Sequence, residues 1–260
     1  MQLSNKILCG DALEVLREMP SGYFDLVVTS PPYNMGYTFN QDHDRHKILR
    51  QGYSDIFKDD MDEEEYSKYH CAVLSELWRV IKEETGAIFY NRKFRIIGKR
   101  LYEPVLSIGD DGFACVRGTD IPIREIIIWN VGHRVDFNRC YFPPGYQNIY
   151  LIAKERFRIT KEALFSTSVW DLGSQASARK GSAVANDHPV PFPVALPWKA
   201  LTSCEFPDKT VRVLDPFMGS GTTAIACKSF GAEYTGIEIN PDFVGLAEKR
   251  ITNSGFSFGT

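Results

Sequence analysis

The sequence predicts an α/β fold built on a doubly wound, mostly parallel sheet. Two observations carry this. Apolar strand-like segments alternate with amphipathic helical segments along most of the 260 residues, and that alternation requires a sheet covered on both faces. The C-terminal stretch then reads strand Val211–Asp215, glycine turn, helix Thr222–Phe230, strand Tyr234–Glu238, helix Pro241–Ile251, which is a βαβ unit.

The other elements follow in order. Ile7-Leu8 is a short strand end, and Ala12–Met19 has Leu13 and Leu16 at helical spacing before Pro20 and Gly22. Phe24–Thr29 is a buried strand that stops at two prolines, which cannot continue a ladder. Residues 35–61 are polar and without period, a long loop of the kind that is functional or mobile. Asp62–Glu65 places acid at a helix start, where the dipole favours it, and Tyr66, Tyr69, Val73, Leu77 and Val80 carry that helix to Lys82. Strand Ala87–Tyr90 follows Gly86, and a second helix is expected from Phe94 to Ile108, interrupted near Pro104. Arg124–Trp129 and Gln147–Ala153 read as strands, with Pro143-Pro144-Gly145 forcing a turn between them. Residues 154–186 are polar with few core candidates, and Pro193–Ser203 is a helix.

Composition narrows the class. Hydrophobic residues make up 43% and charged residues 24%, ordinary for a globular chain with a sizeable core. The net charge is −3, so any nucleic-acid contact needs a local basic surface. Six cysteines, at 9, 71, 115, 140, 204 and 227, contain no Cys-x-x-Cys pair and read as scattered reduced thiols. No signal-peptide pattern opens the chain and no run of 18 apolar residues occurs. The expectation is a cytoplasmic protein, with no metal site.

The cofactor side of the chemistry lies in Asp215-Pro-Phe-Met-Gly-Ser-Gly-Thr-Thr223, which joins a strand to a helix. Gly219 and Gly221 permit positive φ and close backbone approach. The helix start offers free N–H groups. Glu238 ends the next strand, 19 residues after Gly219, where a carboxylate holds ribose hydroxyls in doubly wound folds. Asp215 suits a cationic ligand group. The glycines alone fit equally well with a tight turn in any α/β protein. No Gly-Lys-Ser/Thr follows, which argues against a P-loop, and the Gly-x-Gly-x-x-Gly dinucleotide pattern is missing.

The catalytic candidates are Ser30, Pro31, Pro32 and Tyr33, directly after the buried strand. Ligands of open α/β sheets bind at that carboxyl edge. The prolines stiffen the loop and leave carbonyls facing outward. Ser30 offers a hydroxyl acceptor, and Tyr33 a flat face for a base. Alone, such a string is more often a surface turn. Its position after a strand, and the Asp215–Thr223 turn with Gly236-Ile237-Glu238 in the same chain, change that balance.

Here the chain resembles the DNA amino-methyltransferases in the permuted order called class β, in which the catalytic motif precedes the main cofactor motif. Thr29–Asn34 precedes Asp215–Thr223 as that order requires. Gly10-Asp11-Ala12 resembles the segment whose acid meets the cofactor adenine. Leu77–Lys82 with Gly86 resembles the helix and turn before the fifth strand. Phe142–Ile149 resembles the lining of the base pocket, and His188–Pro193 the cover over the methionine end of the cofactor. These segments span nearly the whole chain apart from 35–61 and 155–186.

The resemblance implies a single catalytic domain over 1–260, with a seven-stranded Rossmann-like methyltransferase sheet in circularly permuted order. It implies S-adenosyl-L-methionine held by Asp11, Ala12, Asp215, Phe217, Gly219, Ser220, Gly221, Thr222, Glu238, Ile239, His188 and Phe192. The partner is double-stranded DNA whose target base is flipped out. The base amine attacks the methyl in line, with Ser30 and the Pro31 carbonyl as acceptors. A homodimer and a cognate restriction endonuclease are further partners that the resemblance admits. Ser in the first loop position resembles the cytosine-N4 branch, and adenine N6 stays as the alternative. Carbon-5 chemistry is disfavoured because no cysteine follows a proline. RNA or protein-glutamine methylation, and a non-catalytic nucleic-acid-binding module, are more remote.

Weaker signals remain. Arg92, Lys93, Arg95, Lys99 and Arg100 fall within nine positions and read equally as phosphate contacts or a solvated helix face. The segment 155–186 sits where the family keeps its target-recognition region, and 35–61 is expected to share the reading of DNA. His43 and His46 have no third ligand nearby and read as an exposed loop pair.

Overall fold

The computed structural model describes residues 3–34, 61–132, 142–173 and 192–254. Its centre is an eight-stranded sheet made of β1 (Lys6–Cys9), β2 (Leu26–Thr29), β3 (Ala87–Arg92), β8 (Glu125–Asn130), β9 (Tyr146–Ala153), β10 (Val169–Asp171), β11 (Arg212–Asp215) and β12 (Glu233–Glu238). Four short strands stand apart as two hairpins, β4 (Arg95–Ile97) with β5 (Arg100–Tyr102) and β6 (Leu106–Ile108) with β7 (Ala114–Val116). The helices are α1 (Ala12–Glu18), α2 (Glu63–Val80), α3 (Ala195–Ser203), α4 (Thr222–Phe230) and α5 (Pro241–Asn253).

The sheet order is β1-β12-β11-β2-β3-β9-β8-β10. The first five strands of that order run parallel. Strand β9 is antiparallel to both neighbours, and β10 is parallel to β8. The sheet is therefore mixed and mostly parallel. The expected seven strands become eight because Val169-Trp170-Asp171 pairs with β8 inside the stretch read as polar surface. Its single buried side chain, Trp170, stacks on Phe89 with centroids 5.9 Å apart. Three residues are too few to show a period-2 signal.

Successive strand side chains alternate between faces. On one face Val27, Ile88, Ile152, Leu214 and Ile237 meet Leu16 of α1 and Val73, Leu74 and Leu77 of α2. On the other, Leu26, Val28, Phe89, Ile149 and Val213 meet Leu196, Ala200 and Leu201 of α3 and Ala226 of α4. Both faces being covered explains why β2 and β3 are buried at every position and why Leu26–Val28 and Ala87–Phe89 run apolar without alternation. Each fully buried Leu or Val contributes about 1.5–3 kcal/mol of transfer free energy.

Capping chemistry sets the helix starts. Asp11 accepts from the Leu13 and Glu14 amides, Asp62 from those of Glu64 and Glu65, and Asn240 from that of Asp242. The glycine at the start of α4 is obligatory. Gly221 has φ +80, and a Cβ there would stand 3.1 Å from Ala247.

The expected helix over 94–108 is not formed. Gly98 and Lys99 both have positive φ, at 57 and 64, which is the turn that joins a two-residue hairpin. Ile96, Ile97 and Leu101 lie exposed on that hairpin. The basic cluster dissolves with the helix. Arg92 and Arg95 are buried and paired with Glu103 and Glu63, while Lys99 and Arg100 are exposed at the hairpin turn. His43, His46, Cys140 and His188 lie outside the described residues, as do 35–60 and 174–186. Among the described residues, no helix is long and apolar enough to cross a membrane.

Candidate active site

The carboxyl edge of the sheet gathers the candidate residues in spatial order. Following the strands across, Asp11 comes after β1, Glu238 ends β12, Asp215 ends β11, and Ser30 follows β2. Asn91 stands near the end of β3 and Gln147 near the start of β9. Three acids therefore sit at one side and a neutral polar cluster at the other. The two halves touch. The Thr29 hydroxyl donates to Asp215 Oδ1 at 2.7 Å, across 186 residues of sequence.

Asp215 is fully buried. The Phe217 amide also donates to its Oδ1, at 3.1 Å, and the Thr223 hydroxyl to its Oδ2, at 2.7 Å. Burial pushes its carboxyl up to about 6, against the lowering effect of these donors. Glu238 accepts from the Gly219 amide at 2.8 Å and the Asn240 amide at 2.9 Å. Burial raises its carboxyl too, again opposed by those amides. Asp11 accepts through Oδ2 from the Tyr69 hydroxyl at 2.8 Å, beside its helix-capping bonds. Ala12 is buried in the first turn of α1, and Phe217 lies partly buried with its ring 5.8 Å from that of His70. The Ser220 and Thr222 hydroxyls are held by Arg250 of α5, at 2.9 and 3.0 Å, and so face the helix. Ile239 follows β12 at the same edge and Phe192 is buried in the core below α3. Of the residues expected around the cofactor, His188 alone lies outside the described residues.

In the Ser30–Tyr33 loop, the Ser30 hydroxyl lies 2.9 Å from the Tyr33 hydroxyl. The Asn91 NH2 lies 3.2 Å from Ser30 Oγ, 3.0 Å from the Tyr33 oxygen and 3.0 Å from Gln147 Oε1, its two hydrogens shared among the three acceptors. The Pro32 carbonyl is taken by the Tyr66 hydroxyl of α2 at 2.5 Å, and Tyr66 accepts in turn from Arg92 at 2.8 Å. Arg92 is itself paired with Glu103. Asn34, at φ 53, bonds both the amide and the carbonyl of Met61, and Arg95 donates to its carbonyl at 2.7 Å. The loop is thus braced from β3, β9 and α2 at once. Beneath it His70 is fully buried with Nδ1 2.8 Å from the Tyr90 hydroxyl, and burial with two nearby guanidinium groups holds its imidazole neutral.

Sequence reasoning missed Asn91, Tyr66, Thr223 and the role of Gln147. The available signal was polar side chains set in otherwise apolar strands. Asn91 and Gln147 are only 1% and 2% exposed, and a buried amide demands partners.

The family model described as DNA methylase, for the N6 and N4 enzymes, matches residues 24–249. The type II methyltransferase M.ScaI of Streptomyces caespitosus is 26% identical over 270 residues, covering 93% of this chain and 79% of its own. The solved PvuII DNA methyltransferase (cytosine-N4-specific) shares the fold with a TM-score of 0.64 at 16% identity, covering 98% of this chain and 88% of that one. The Thermus thermophilus protein TTHA0409, solved in complex with S-adenosyl-L-methionine, has a TM-score of 0.60 at 21% identity and covers 97% of this chain and 96% of that one. The family match runs through the Ser30–Tyr33 loop and the Asp215–Glu238 unit alike, and the chain belongs to the N6/N4 DNA methylase family, the S-adenosyl-L-methionine-dependent amino-methyltransferases of DNA.

Proposed function

We propose that this chain methylates the exocyclic N4 amine of cytosine in a flipped-out base of double-stranded DNA. The observation that carries the reading is the Thr29–Asp215 contact, which joins an acid-lined half to a loop of neutral acceptors at one sheet edge. Ser30 at the head of the loop supports cytosine, and adenine N6 is the other amine that the family spans. The designation of M.ScaI as a type II methyltransferase supports a restriction-modification setting with a cognate endonuclease.

The residues present fit the cofactor. Two buried carboxylates at adjacent strand ends, with a third acid beyond them, suit a ligand bearing positive charge and ribose hydroxyls and oppose a polyphosphate. When bound, S-adenosyl-L-methionine supplies a methyl group on a sulfonium. Asp11 and Ala12 would face the adenine, Glu238 and Ile239 the ribose, and Asp215 the cationic methionine end. Phe217, Gly219, Ser220, Gly221 and Thr222 would line the turn beneath it, and the family resemblance assigns the cover to His188 and Phe192. Asp215 keeps its negative charge there through the Thr29 and Thr223 hydroxyls.

The chain's contribution to transfer is positioning and acceptor electrostatics. The Ser30 oxygen and the Pro31 carbonyl accept the two amine hydrogens, which aims the nitrogen lone pair at the methyl. Pro32 is spoken for by Tyr66, leaving Pro31 as the loop carbonyl for substrate. Tyr33 stacks on the base. A nitrogen–carbon bond forms as the carbon–sulfur bond breaks, the electron pair stays on sulfur, and the displaced N–H proton passes to water.

Incubation with methyl-labelled S-adenosyl-L-methionine and mixed-sequence duplex DNA, followed by nucleoside digestion, tests this. N4-methylcytosine is expected. N6-methyladenine moves the assignment to the other amine, and label on RNA or protein alone overturns it.

A further inference from the structure

The network behind the catalytic loop has a direction that proton counting favours. Gln147 Oε1 can only accept, and it receives both the Asn91 amide at 3.0 Å and the Tyr33 hydroxyl at 3.2 Å. The Tyr33 phenol has one proton, and sending it to Gln147 satisfies both contacts, whereas sending it to Ser30 would leave two oxygens 3.2 Å apart with no proton between them. Towards Ser30, 2.9 Å away, the phenol oxygen therefore accepts, and the Ser30 proton is committed to it. One Asn91 hydrogen goes to Gln147 and the other is shared between Tyr33 and Ser30, so among the described residues Ser30 keeps at least one lone pair for a donor arriving from outside.

The amide orientations support this. Turning Gln147 alone sets its NH2 against that of Asn91. Turning both moves the Asn91 NH2 to the place where its oxygen has no partner among the described residues. A buried N–H without an acceptor is rarer and costlier than a buried carbonyl without a donor.

We propose that Gln147 and Asn91 are positioning residues that orient the Ser30 hydroxyl through Tyr33, so that Ser30 meets the substrate amine as a hydrogen-bond acceptor. In water a serine hydroxyl turns freely between donor and acceptor. A donor would occupy the amine lone pair needed for attack, whereas an acceptor leaves it free. Since Gln147 and Asn91 lie on neighbouring antiparallel strands, the register of β9 against β3 sets the polarity of the loop. The inference rests on Ser30 serving as the acceptor in the proposed reaction.

The test is methyl transfer by the full chain carrying Gln147→Met, Gln147→Glu, Tyr33→Phe, Ser30→Ala, and the double variant Ser30→Ala with Gln147→Met. Gln147→Met keeps length and loses the acceptor, and Tyr33→Phe keeps the ring and loses the relay. Each is expected to lower kcat by roughly tenfold to a hundredfold, with cofactor affinity and KM for DNA nearly unchanged. Gln147→Glu, which retains an acceptor oxygen, should recover most of the loss. In the Ser30→Ala background, Gln147→Met should cost nothing further, because both changes remove one interaction. Additive losses in the double variant, or normal kcat in Gln147→Met and Tyr33→Phe, overturn the inference. Should Gln147→Met fail to fold, Tyr33→Phe in the same Ser30→Ala cycle decides the question alone. Normal kcat in Ser30→Ala is a different result and strikes the underlying assignment of Ser30 itself.

Discussion

At the residue scale, Asp215 is a carboxyl held in full burial. Its folded pKa, about 6, stands above the ordinary carboxyl value of about 3.9. The folded state therefore binds more protons than the unfolded state between these values, and Asp215 loses stability for the fold as pH rises through that window. Relative to Asp215→Asn, the wild-type chain should lose about 3 kcal/mol between roughly pH 4 and pH 6, read from paired denaturant titrations. Function runs the opposite way. The ionised carboxylate is the form that favours a cationic ligand, so affinity for S-adenosyl-L-methionine should fall as pH drops below about 6, and Asp215→Asn should bind weakly throughout. An Asn variant with wild-type affinity removes Asp215 from the cofactor site. Pro32 and Tyr33 test the other half. Pro32→Ala and Tyr33→Ala should lower turnover far more than cofactor affinity, and matched losses in both would make the loop a structural brace.

At the scale of elements, α2 does more than cover the sheet. Its first turns carry Glu63 to Arg95 and Tyr66 to the Pro32 carbonyl. Arg92, fully buried on β3, is tied to both Tyr66 and Glu103. Tyr66→Phe would leave a guanidinium N–H and a loop carbonyl without a shared partner. A stability loss of about 1–3 kcal/mol is expected, accompanied by a fall in turnover as the loop loosens. Chemical denaturation and single-turnover rates read the two effects separately, and a variant as stable and active as wild type would show that α2 does not hold the loop. The same stretch explains where sequence reading failed. Ile96, Ile97 and Leu101 have helical spacing, but the Gly98-Lys99 turn folds them back as a hairpin. Two positive-φ residues outweigh a short apolar period.

At the scale of the whole molecule, a net charge of −3 leaves DNA contact to local surfaces. The hairpin turn with exposed Lys99 and Arg100 offers a local basic surface to test, whereas Arg92 and Arg95 are consumed by internal ion pairs. Replacing Lys99 and Arg100 together by Ala should reduce the slope of log affinity against log salt by about 1–2 and leave the melting temperature unchanged. An unchanged slope would move the phosphate contacts elsewhere on the molecule. The sheet ties these surfaces to the chemistry, since β3 leads from the loop contacts of Asn91 and Arg92 directly into the hairpin.

Local sequence determined the alternation of strands and helices, the glycine turn before α4 and the Ser30–Tyr33 loop after β2, because each rests on period, capping or backbone freedom within a few residues. It also determined the family, through the order of motifs along the chain. The tertiary structure alone decided that β10 joins as an eighth strand, that Asp215 is answered by Thr29, and that Asn91 and Gln147 stand behind Ser30. Those outcomes depend on strand register and burial between residues as far apart as 186 positions. A buried polar group takes its partner from whatever the packed strands bring within about 3 Å, and no local pattern records that choice.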